Sequence, residues 1–511
     1  MSGLACVVLA AGKGTRMRSA RPKVLHPLAG RPMVEHALGI ARALAPERTV
    51  LVIGPELEGA AAGLEGVGEA VSCVVQEEPL GTAHAVAETR PPLEDFGGDV
   101  LVLYADTPLV RAETLARLIE ARREGEGVAA AVLGFRPDDP AEYGRLILSP
   151  DGTLARIVEF AEASGDERAV TLCNAGMMAV DGRRLFPLLD AIGNDNAKGE
   201  YYLTDLPAIV AAEGGRCAVA EAPAEEVMGI NDRAQLAAAE RVVQDRLRRA
   251  AMEGGATLVE PATVWLSSDT RLGCDVTIGP NVFFGPGVVI EDGVEIRPFS
   301  HLEGVCVRKG ATIGPFARLR PGSDIGEGAR VGNFVEVKSS TVAQGAKINH
   351  LSYVGDAGVG AGANIGAGTI TCNYDGYRKS RTEIGEGAFI GSNTALVAPV
   401  TVGPGAVVGA GSVITEDVEA DAIAVARGEQ RQREGAAARG REARGRPARG
   451  ALRVEPAFQE QVDQVRDDLR IGVGAELPPP TTAPGPPVTG ATSAVLEPMK
   501  APSPISVRDF R

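Results

Sequence analysis

The sequence is poor in aromatic residues and has no long apolar run. Aromatic side chains make up 4% of its 511 residues, with one tryptophan. Because no stretch of about 18 apolar residues occurs, we expect no spanning helix and no membrane insertion. The apolar segment 1–11 lacks a basic region and leads into a glycine loop, so it predicts a strand and turn rather than a signal peptide.

Cysteine pairs and an excess of positive charge are also missing. The seven cysteines include no CxxC pair and fit neither a disulfide framework nor a zinc knuckle, so we expect a reducing, cytoplasmic location. Acidic residues outnumber basic ones by 67 to 52, and the formal net charge is −15. This balance argues against a nucleic-acid partner, because phosphate binding needs clustered Lys and Arg.

Residues 1–231 alternate short apolar strands with amphipathic helical stretches. The predicted strands are Val7–Ala10, Thr49–Ile53, Ser72–Val75, Val100–Tyr104 and Val128–Leu133. The predicted helices include Pro32–Leu44 and Ala112–Arg122. This alternation is typical of an α/β domain with a mostly parallel, Rossmann-like sheet. Residues 232–254 then predict one long helix that links two bodies.

From Leu272 onward, aliphatic residues recur at every sixth position and are often followed by glycine. This period predicts a left-handed parallel β-helix of hexapeptide repeats over residues 255–430, with three hexads to a triangular coil. The period is interrupted four times, between Leu302 and Ile313, Val337 and Ile348, Val354 and Ile365, and Ile365 and Ile384. We expect these interruptions to re-aim side chains or to extrude loops, and residues 371–379 to form an exposed loop.

The composition changes again after residue 430. The segment is first rich in arginine and then in proline, threonine and alanine, although a short helix is compatible with the pattern around residues 462–469. Such compositions cannot bury enough apolar surface to fold alone. We therefore predict a largely disordered tail over residues 431–511.

A glycine loop with basic residues follows the first strand. Glycines Gly12 and Gly14 let backbone N–H groups approach a phosphate, and Arg16, Arg21 and Lys23 supply positive charge. The loop is not a Walker A motif, and Met17 stands where the dinucleotide fingerprint needs its third glycine. The loop therefore predicts nucleotide binding of another class.

Further along, polar residues follow two other predicted strands. Asp106 ends a strand at the edge where open α/β sheets bind ligands, and its carboxylate suits Mg²⁺. The alternative is an aspartate that only shapes a turn. Gln76, Gly81 and Thr82 follow a second strand, in a position to read a base or ribose.

The β-helix contains two histidines, and a histidine's pKa suits proton removal from an ammonium group near neutral pH. His301 lies in a regular hexad and is expected to be structural. His350 follows an interruption, and the same coils carry the polar residues Arg320, Glu336, Lys338, Tyr353, Asn364 and Lys379. We predict that His350 belongs to a site; the alternative is an ordinary surface histidine. His26, His36 and His84 show no convergent metal pattern and are expected to be structural.

Ordered motifs then identify a family. The motifs are LAAGKGTRM, RPKVLH, QEEPLGTAHAV, YADTPL, YGRL, NAGM, KGEYYLTD and GIND. They resemble the pyrophosphorylase domain of sugar nucleotidyltransferases. Joined to a hexapeptide β-helix, they resemble, over about residues 4–430, the bifunctional N-acetylglucosamine-1-phosphate uridylyltransferase/glucosamine-1-phosphate N-acetyltransferases.

The resemblance implies two reactions on small-molecule substrates. Glucosamine-1-phosphate would be acetylated by acetyl-CoA, and UMP would then pass from UTP to the product, giving UDP-N-acetylglucosamine for peptidoglycan and lipopolysaccharide. Arg16 and Lys23 would be catalytic, and Asp106 and Asn231 would hold Mg²⁺. The implied UDP-sugar site comprises Leu9, Ala10, Ala11, Gly12, Lys23, Gln76, Gly81, Thr82, Tyr104, Ala105, Asp106, Gly144, Glu159, Asn174 and Asn231.

The resemblance also implies the roles of the β-helix residues in a homotrimer. His350 would accept the proton, Glu336 would orient it, and Asn373 would polarise the acetyl group. The sugar phosphate would be bound by Arg320, Lys338, Tyr353, Asn364 and Lys379. Acetyl-CoA would be bound by Ala367, Asn373, Tyr374, Ser392, Ala410 and Arg427.

The sequence departs from the family pattern at three places. Ala105 replaces a glycine, Phe160–Ala163 replace a segment with a Lys-Asp pair, and Gly428-Glu429 follow Arg427 where a hydrophobic-proline step is expected. Two other functions remain open at this point: a single-function nucleotidyltransferase with a regulatory or oligomerising β-helix, and a non-catalytic sugar-nucleotide-binding scaffold.

Overall fold

The structure, a computed structural model, describes residues 3–64, 66–68, 70–125, 127–196 and 198–445. The chain up to Gly428 forms one compact unit, and the residues from Glu429 onward belong to a second. Within the described residues, none of the helices combines the length and apolar character that crossing a membrane requires.

The first half of the chain is built on one mixed sheet. Its strands and those of a small hairpin are β1 (Leu4–Ala10), β2 (Pro27–Leu28), β3 (Arg31–Pro32), β4 (Arg48–Ile53), β5 (Ser72–Val75), β6 (Asp99–Tyr104), β7 (Val128–Phe135), β8 (Arg145–Leu148), β9 (Leu154–Val158), β10 (Cys173–Asp181) and β11 (Arg216–Ala222). The sheet order is β11-β7-β10-β6-β1-β4-β5, with β8 and β9 attached at β10, and β2 pairs only with β3. Strands β1, β4, β5 and β6 are parallel, as predicted, but β10 runs antiparallel between β6 and β7.

Helices cover this sheet and join it to the second half. They are α1 (Met33–Ala43), α2 (Glu58–Ala61), α3 (Thr82–Ala87), α4 (Arg90–Leu93), α5 (Ala112–Arg123), α6 (Gly165–Arg168), α7 (Gly182–Asp190), α8 (Leu206–Ala212) and α9 (Arg233–Glu253). Buried residues of β1, β4 and β6 pack on one side against α1 and α5, and on the other side against α3 and α7. Pro32 caps α1 rather than opening its first turn as predicted.

The second half consists of short parallel strands. They are β12 (Thr257–Leu258), β13 (Arg271–Leu272), β14 (Thr277–Ile278), β15 (Phe283–Phe284), β16 (Val289–Ile290), β17 (Glu295–Ile296), β18 (His301–Leu302), β19 (Val305–Val307), β20 (Thr312–Ile313), β21 (Arg318–Leu319), β22 (Ser323–Ile325), β23 (Arg330–Asn333), β24 (Glu336–Lys338), β25 (Thr341–Val342), β26 (Lys347–His350), β27 (Tyr353–Gly355), β28 (Ala357–Val359), β29 (Asn364–Ile365), β30 (Ile370–Cys372), β31 (Thr382–Ile384), β32 (Phe389–Ile390), β33 (Ala395–Val397), β34 (Val400–Val402), β35 (Val407–Val408), β36 (Val413–Ile414) and β37 (Ile423–Ala424). They form three parallel sheets, which are the faces of the predicted β-helix.

The aliphatic residues of the six-residue period line the interior of the β-helix, and one core runs along its whole length. Three predicted interruptions are not loops. Val307, Val342 and Val359 continue the buried series in the gaps, each five residues after the preceding inward residue. The chain therefore turns with one residue fewer at these corners and keeps its coil.

The fourth interruption begins later than predicted. Thr371 occupies the inward position in β30 and is buried, with its hydroxyl bonded to the backbone of Gly355. Because Thr371 is polar, the aliphatic pattern of the sequence does not reveal that this residue continues the inward series. The loop itself covers residues 373–381, between β30 and β31.

The long helix α9 contacts both halves. Its Glu240 accepts a hydrogen bond from the backbone N–H of Ala29 at 2.8 Å, and its Gln244 exchanges two with the backbone of Leu266. Asp232 caps its start through the N–H of Gln235, and Gly254 follows its end. The helix thus has the bounds that the sequence predicts for the link between the two halves.

Beyond Gly428 the structure describes residues only to 445. Helix α10 (Ala436–Gly445) forms inside the segment predicted to be disordered. Its residues are mainly alanine and arginine, which have high helix propensity and which the composition argument did not weigh. The remaining predicted tail, including the segment 462–469, lies outside the described residues.

Candidate active sites

Two adjoining cavities lie at the carboxyl ends of β1 and β6. The smaller, of about 270 Å³, is lined by the glycine loop and by Lys23, Gln76 and Tyr104. The larger, of about 730 Å³, contains Gly144, Glu159 and Asn174 in its wall. Both cavities share Gly81, Thr82, Tyr104 and Asp106. The structure thus brings most of the predicted UDP-sugar residues to one edge of the sheet.

Lys23 lines the smaller cavity. Its side chain is 8% exposed, and its Nζ donates hydrogen bonds to Asp106 Oδ2 at 2.5 Å and to Asn231 Oδ1 at 3.2 Å. The backbone N–H of Ile230 donates to the carbonyl oxygen of Asp106, which holds the segment of Asn231 beside it. Three predicted residues that are far apart in sequence therefore meet at one point.

The oxygens at this point suit a divalent cation. Asp106 and Asn231 offer the hard oxygen atoms that Mg²⁺ prefers, and both converge on a cationic atom, Lys23 Nζ. Among the described residues, no group of three or more His, Cys, Asp or Glu could hold a metal by itself. Mg²⁺ is commonly bound by one or two protein ligands together with substrate phosphates, so the residues present fit such a site.

Gln76 is held rigidly beside the glycine loop. Its amide Nε2 donates to the carbonyl oxygen of Gly81 at 3.0 Å and lies 3.0 Å from His84 Nδ1. Gly81 has φ of +115°, and a Cβ there would come within 2.4 Å of the Tyr201 carbonyl oxygen. His84, which we expected to be only structural, therefore orients a predicted site residue. The sequence offered no signal for this contact.

Other predicted residues lie in or near the larger cavity. Phe160, Ala161 and Glu162, which depart from the family pattern, line it beside Glu159. Ala105, which we expected to be a binding residue, is fully buried and does not line either cavity. Its backbone N–H donates a hydrogen bond to the carbonyl oxygen of Leu9. Arg16 is exposed and lies outside the residues that line either cavity. Burial, with Asp106 nearby, raises the pKa of Tyr104.

Of the three histidines in the first half that we expected to be structural, His26 is buried, and His36 and His84 are half-buried. His26 is 4% exposed, and burial together with Arg233 lowers its pKa. A ring nitrogen of His36 lies 2.8 Å from the carbonyl oxygen of Leu28. These contacts agree with the structural interpretation.

In the β-helix, three of the predicted acetyl-CoA residues, Ala367, Ser392 and Ala410, follow one corner of the prism. Strand pairing aligns the inward residues Val331, Ile348, Ile365, Ile390 and Val408 in successive coils. Two residues after each of them stands one corner residue, and we call this series the corner column: Asn333, His350, Ala367, Ser392 and Ala410. Arg427 contacts the end of this column, with a guanidinium nitrogen that donates to the Ala410 carbonyl oxygen at 2.5 Å. The column thus connects the predicted base with the predicted acetyl-CoA contacts.

A second cluster surrounds Asp356, a residue that the sequence analysis did not identify. Asp356 accepts a hydrogen bond from Lys338 Nζ at 3.2 Å and another from the amide of Asn373. Burial raises the pKa of Asp356, but the hydrogen bonds from Asn373 and Lys338 outweigh this and lower it overall. For Lys338, burial lowers the pKa, but the hydrogen bond to Asp356 raises it above its ordinary value. Asp356 therefore ties together two predicted site residues, Lys338 and Asn373.

The contacts of Glu336 differ from the prediction that it orients His350. Its carboxylate accepts a hydrogen bond from Arg320 at 2.9 Å and lies 3.8 Å from Arg318. Glu336 and Arg318 are partners across adjacent strands of one face, and this register directs the carboxylate to the guanidinium groups. The described contact of His350 is instead with Asn333, whose Oδ1 lies 2.7 Å from His350 Nδ1.

The remaining predicted residues lie near these clusters. Asn364 lies in β29, paired with Lys347 on the neighbouring strand, and Tyr353 is paired with Glu336. Tyr374 is 60% exposed and forms a bridge with Lys379 across the loop 373–381, so this loop is a small hairpin.

Comparisons with known proteins agree with both halves of the chain. Residues 6–198 match the MobA-like NTP transferase domain. Residues 269–304 and 381–416 match the bacterial transferase hexapeptide model of six repeats.

Curated relatives match over most of the chain. The bifunctional protein GlmU of Rhodospirillum rubrum is 62% identical over 442 residues, which are 86% of this chain and 97% of the relative. That of Azorhizobium caulinodans is 58% identical over 435 residues, 85% of this chain and 96% of the relative. That of Paramagnetospirillum magneticum is 57% identical over 441 residues, 86% of this chain and 96% of the relative. The identity to these relatives, the two domain matches, and the nucleotidyltransferase fold and hexapeptide β-helix in one polypeptide all agree. The chain belongs to the GlmU family of bifunctional uridylyltransferases and acetyltransferases.

Proposed function

We propose that the two reactions of this family occur at the two sites described above. The β-helix site acetylates glucosamine-1-phosphate with acetyl-CoA. The site at the sheet edge transfers UMP from UTP to N-acetylglucosamine-1-phosphate and releases pyrophosphate. The product, UDP-N-acetylglucosamine, would serve peptidoglycan and lipopolysaccharide synthesis. The alternative of a single-function nucleotidyltransferase is disfavoured, because a regulatory β-helix has no need of a histidine among sugar-phosphate ligands.

Uridylyl transfer needs no protein nucleophile, because the attacking phosphate oxygen is already an anion. It attacks the α-phosphorus of UTP in line, and the new P–O bond forms as the bond to pyrophosphate breaks. Lys23 and Arg16 offset the negative charge of the phosphates. Asp106 and Asn231 would hold Mg²⁺, which when bound supplies further positive charge at the phosphate oxygens. Gln76, Gly81 and Thr82 bind the uridine, and the residues of the larger cavity bind the sugar.

Acetyl transfer needs a neutral amine. The amine nitrogen attacks the thioester carbonyl carbon, and His350 Nε2 takes the proton that the nitrogen loses. Collapse of the tetrahedral intermediate breaks the C–S bond, and the proton passes to the leaving CoA thiolate. Asn373 polarises the acetyl carbonyl, and Lys338, Lys379 and Arg320 bind the sugar phosphate.

We also propose that the protein is a homotrimer and that it resides in a reducing cytoplasm. Two observations support the trimer, and the third, the free cysteines, supports the location. Phe299, Phe316 and Phe334 stack at 4.9 and 5.1 Å between ring centroids and are 52%, 46% and 54% exposed, a surface suited to burial by another copy. The acetyltransferase corner is open on its outer side. All seven cysteines are free thiols. Light scattering should give the mass of a trimer, and Phe316→Asp should lower that mass and reduce acetyl transfer more than uridylyl transfer.

The observation that carries the uridylyltransferase proposal is the buried ammonium of Lys23 between Asp106 and Asn231. The decisive experiment incubates the protein with glucosamine-1-phosphate, acetyl-CoA, UTP and Mg²⁺ while CoA thiol and pyrophosphate are measured separately. We expect both products, and we expect pyrophosphate release to require acetyl-CoA unless N-acetylglucosamine-1-phosphate is supplied. Pyrophosphate without any CoA thiol would support the single-function alternative.

A further inference from the structure

We propose that Asn333 is the positioning residue of the acetyltransferase site. Its side-chain oxygen accepts a hydrogen bond from Nδ1–H of His350 and so holds the neutral imidazole with its Nε2 lone pair free for the amine. This inference rests on the proposed role of His350 as the base. It assigns to Asn333 the orienting role that the family resemblance suggested for Glu336.

The first support is local backbone structure. In the described part of their face, β23 and β26 are the strands with four residues, while the other eight have two. The additional pairing extends to Asn333 and His350, which are direct partners across the two strands. Gly332 permits this close approach, because a Cβ at Gly332 would lie 2.0 Å from the Asn349 carbonyl oxygen. The extension of both strands therefore ends on the two side chains in question.

The second support is the identity of the residue at this position of the coil. In the three preceding coils of the same face, the equivalent position two residues after the inward aliphatic is proline: Pro280, Pro298 and Pro315. Proline has no polar side chain and fixes the turn. The series changes to Asn333 in the coil directly before His350. A hydrogen-bonding side chain thus enters the corner column at the coil where the histidine needs a partner.

The third support is direction. The two nitrogens of an imidazole lie on different sides of the ring, so a bond at Nδ1 leaves Nε2 turned away from Asn333. His350 follows Asn333 in the corner column, and the proposed acetyl-CoA contacts Ala367, Ser392 and Ala410 continue beyond it. Asn333 therefore holds the imidazole from the side opposite to the proposed acetyl-CoA contacts.

The amide also suits the required protonation state. A carboxylate at this distance would stabilise the imidazolium ion and raise the pKa of the histidine, whereas a neutral amide accepts the same hydrogen bond without that charge. The charged groups nearby in the chain are Arg330 on β23, Lys347 on β26 itself, and Glu336 and Lys338 on β24 of the next face. The Glu336 carboxylate is engaged by Arg320, so it does not replace the amide.

The test compares Asn333→Leu, which removes the acceptor with similar bulk, with Asn333→Asp, which keeps an acceptor and adds a charge. Thr341→Leu, on another face and exposed, is the control for adding a leucine to this surface. For each variant, kcat and KM for glucosamine-1-phosphate are measured from pH 5.5 to 9, with uridylyl transfer and trimer mass as checks of folding. His350→Ala is measured in parallel.

We expect Asn333→Leu to lower kcat of acetyl transfer by about 10–100-fold with little change in KM. Asn333→Asp should recover much of this rate at alkaline pH, and its acidic limb should move upward by about one pH unit. Thr341→Leu should behave like the wild type, and uridylyl transfer should be unchanged in all variants.

Two results would overturn the inference while leaving the proposed function intact. One is an Asn333→Leu variant with wild-type kcat although His350→Ala is inactive. The other is an Asn333→Asp variant as slow as Asn333→Leu with an unmoved acidic limb, which would indicate a merely structural role. If His350→Ala itself retains full acetyl transfer, the proposed base is wrong and the inference falls with it.

Discussion

The two sites of this chain position their residues by opposite means. At the sheet edge, Lys23 is buried, and its contacts with Asp106 and Asn231 join residues that are far apart in sequence beside one cavity. On the β-helix, His350 and Ser392 stand exposed on an open corner. Packing therefore arranges the first site, whereas the strand register, which repeats one corner position in successive coils, arranges the second. The two sites should thus fail separately, and the predictions below test this.

Removing the proposed metal ligand should have the largest effect. In Asp106→Ala, pyrophosphate release should fall to background, a loss of roughly 10⁴-fold, because a metal ion contributes several kcal/mol at the phosphate oxygens. CoA release from acetyl transfer should stay at the wild-type rate. Asp151→Ala, an exposed turn aspartate of the same domain, is the control. Loss of both activities in a folded trimer would contradict the separation of the sites.

Removing the proposed base should have the converse effect. His350→Ala should lower acetyl transfer by about 10²–10⁴-fold and flatten the acidic limb of its pH profile, because a positioned imidazole contributes about this factor. Uridylyl transfer from N-acetylglucosamine-1-phosphate should be unaffected. His301→Ala, on the same β-helix, should retain acetyl transfer. A loss of less than about 10-fold in His350→Ala would mean that substrate positioning carries the rate and that His350 is only a contact.

The site at the sheet edge should also be sensitive to a single added methyl group. At Gly81, φ of +115° and a Cβ position 2.4 Å from the Tyr201 carbonyl oxygen leave no room for alanine. A non-glycine residue in this backbone region costs of order 1–3 kcal/mol, so Gly81→Ala should raise KM for UTP by about 10-fold or more. Gly59→Ala, where a Cβ meets nothing within 4 Å, is the matched control. Equal KM values in the two variants would show that this loop does not bind the nucleotide.

The smallest expected effect concerns Asp356. Asp356→Asn should lower acetyl transfer by about 10-fold, because Lys338 and Asn373 lose their anionic partner. The folded pKa of Asp356 is lowered, so its carboxylate adds stability above the unfolded pKa of about 3.9, and this stability is lost as pH falls through the lower folded value.

The melting temperature tests this sign. The wild type should melt about 1–2 °C above Asp356→Asn at pH 7. The difference should begin to shrink below about pH 4 and vanish once the pH lies below the lower folded pKa. Glu383→Gln, which removes a carboxylate from an exposed pair with Arg381, is the control. A constant difference across this pH range would mean that Asp356 does not stabilise the fold through its charge.

Much of the fold could be predicted because it depends on local patterns. The strands of the parallel part of the sheet, helix α9 and the inward aliphatics all lie where periodicity placed them. The errors arise where the pattern was polar or short by a residue. Thr371 fills an inward position that we assigned to a loop, and Val307, Val342 and Val359 continue the inward series where we expected interruptions.

The candidate sites could be predicted only in part, because motifs identify single residues and not the partners that these residues contact. Motifs located Lys23, Asp106 and His350, but the partners Asn333, Asp356 and His84 carry no motif. Each becomes recognisable only through a contact: with His350 at 2.7 Å, with Lys338 at 3.2 Å, and with Gln76 at 3.0 Å.

The sequence alone determined the fold class of both halves and the long helix between them, because hydrophobic period and glycine placement act over short distances along the chain. It also supplied the candidates for the chemically active residues. Only the tertiary structure decided which side chains touch. Lys23 meets Asp106 across 83 residues and Asn231 across 208, and Asn333 meets His350 one coil later, 17 residues away. In the β-helix, such contacts depend on how many residues each coil contains. A corner that is shorter by one residue changes which side chains are neighbours without changing which residues are aliphatic.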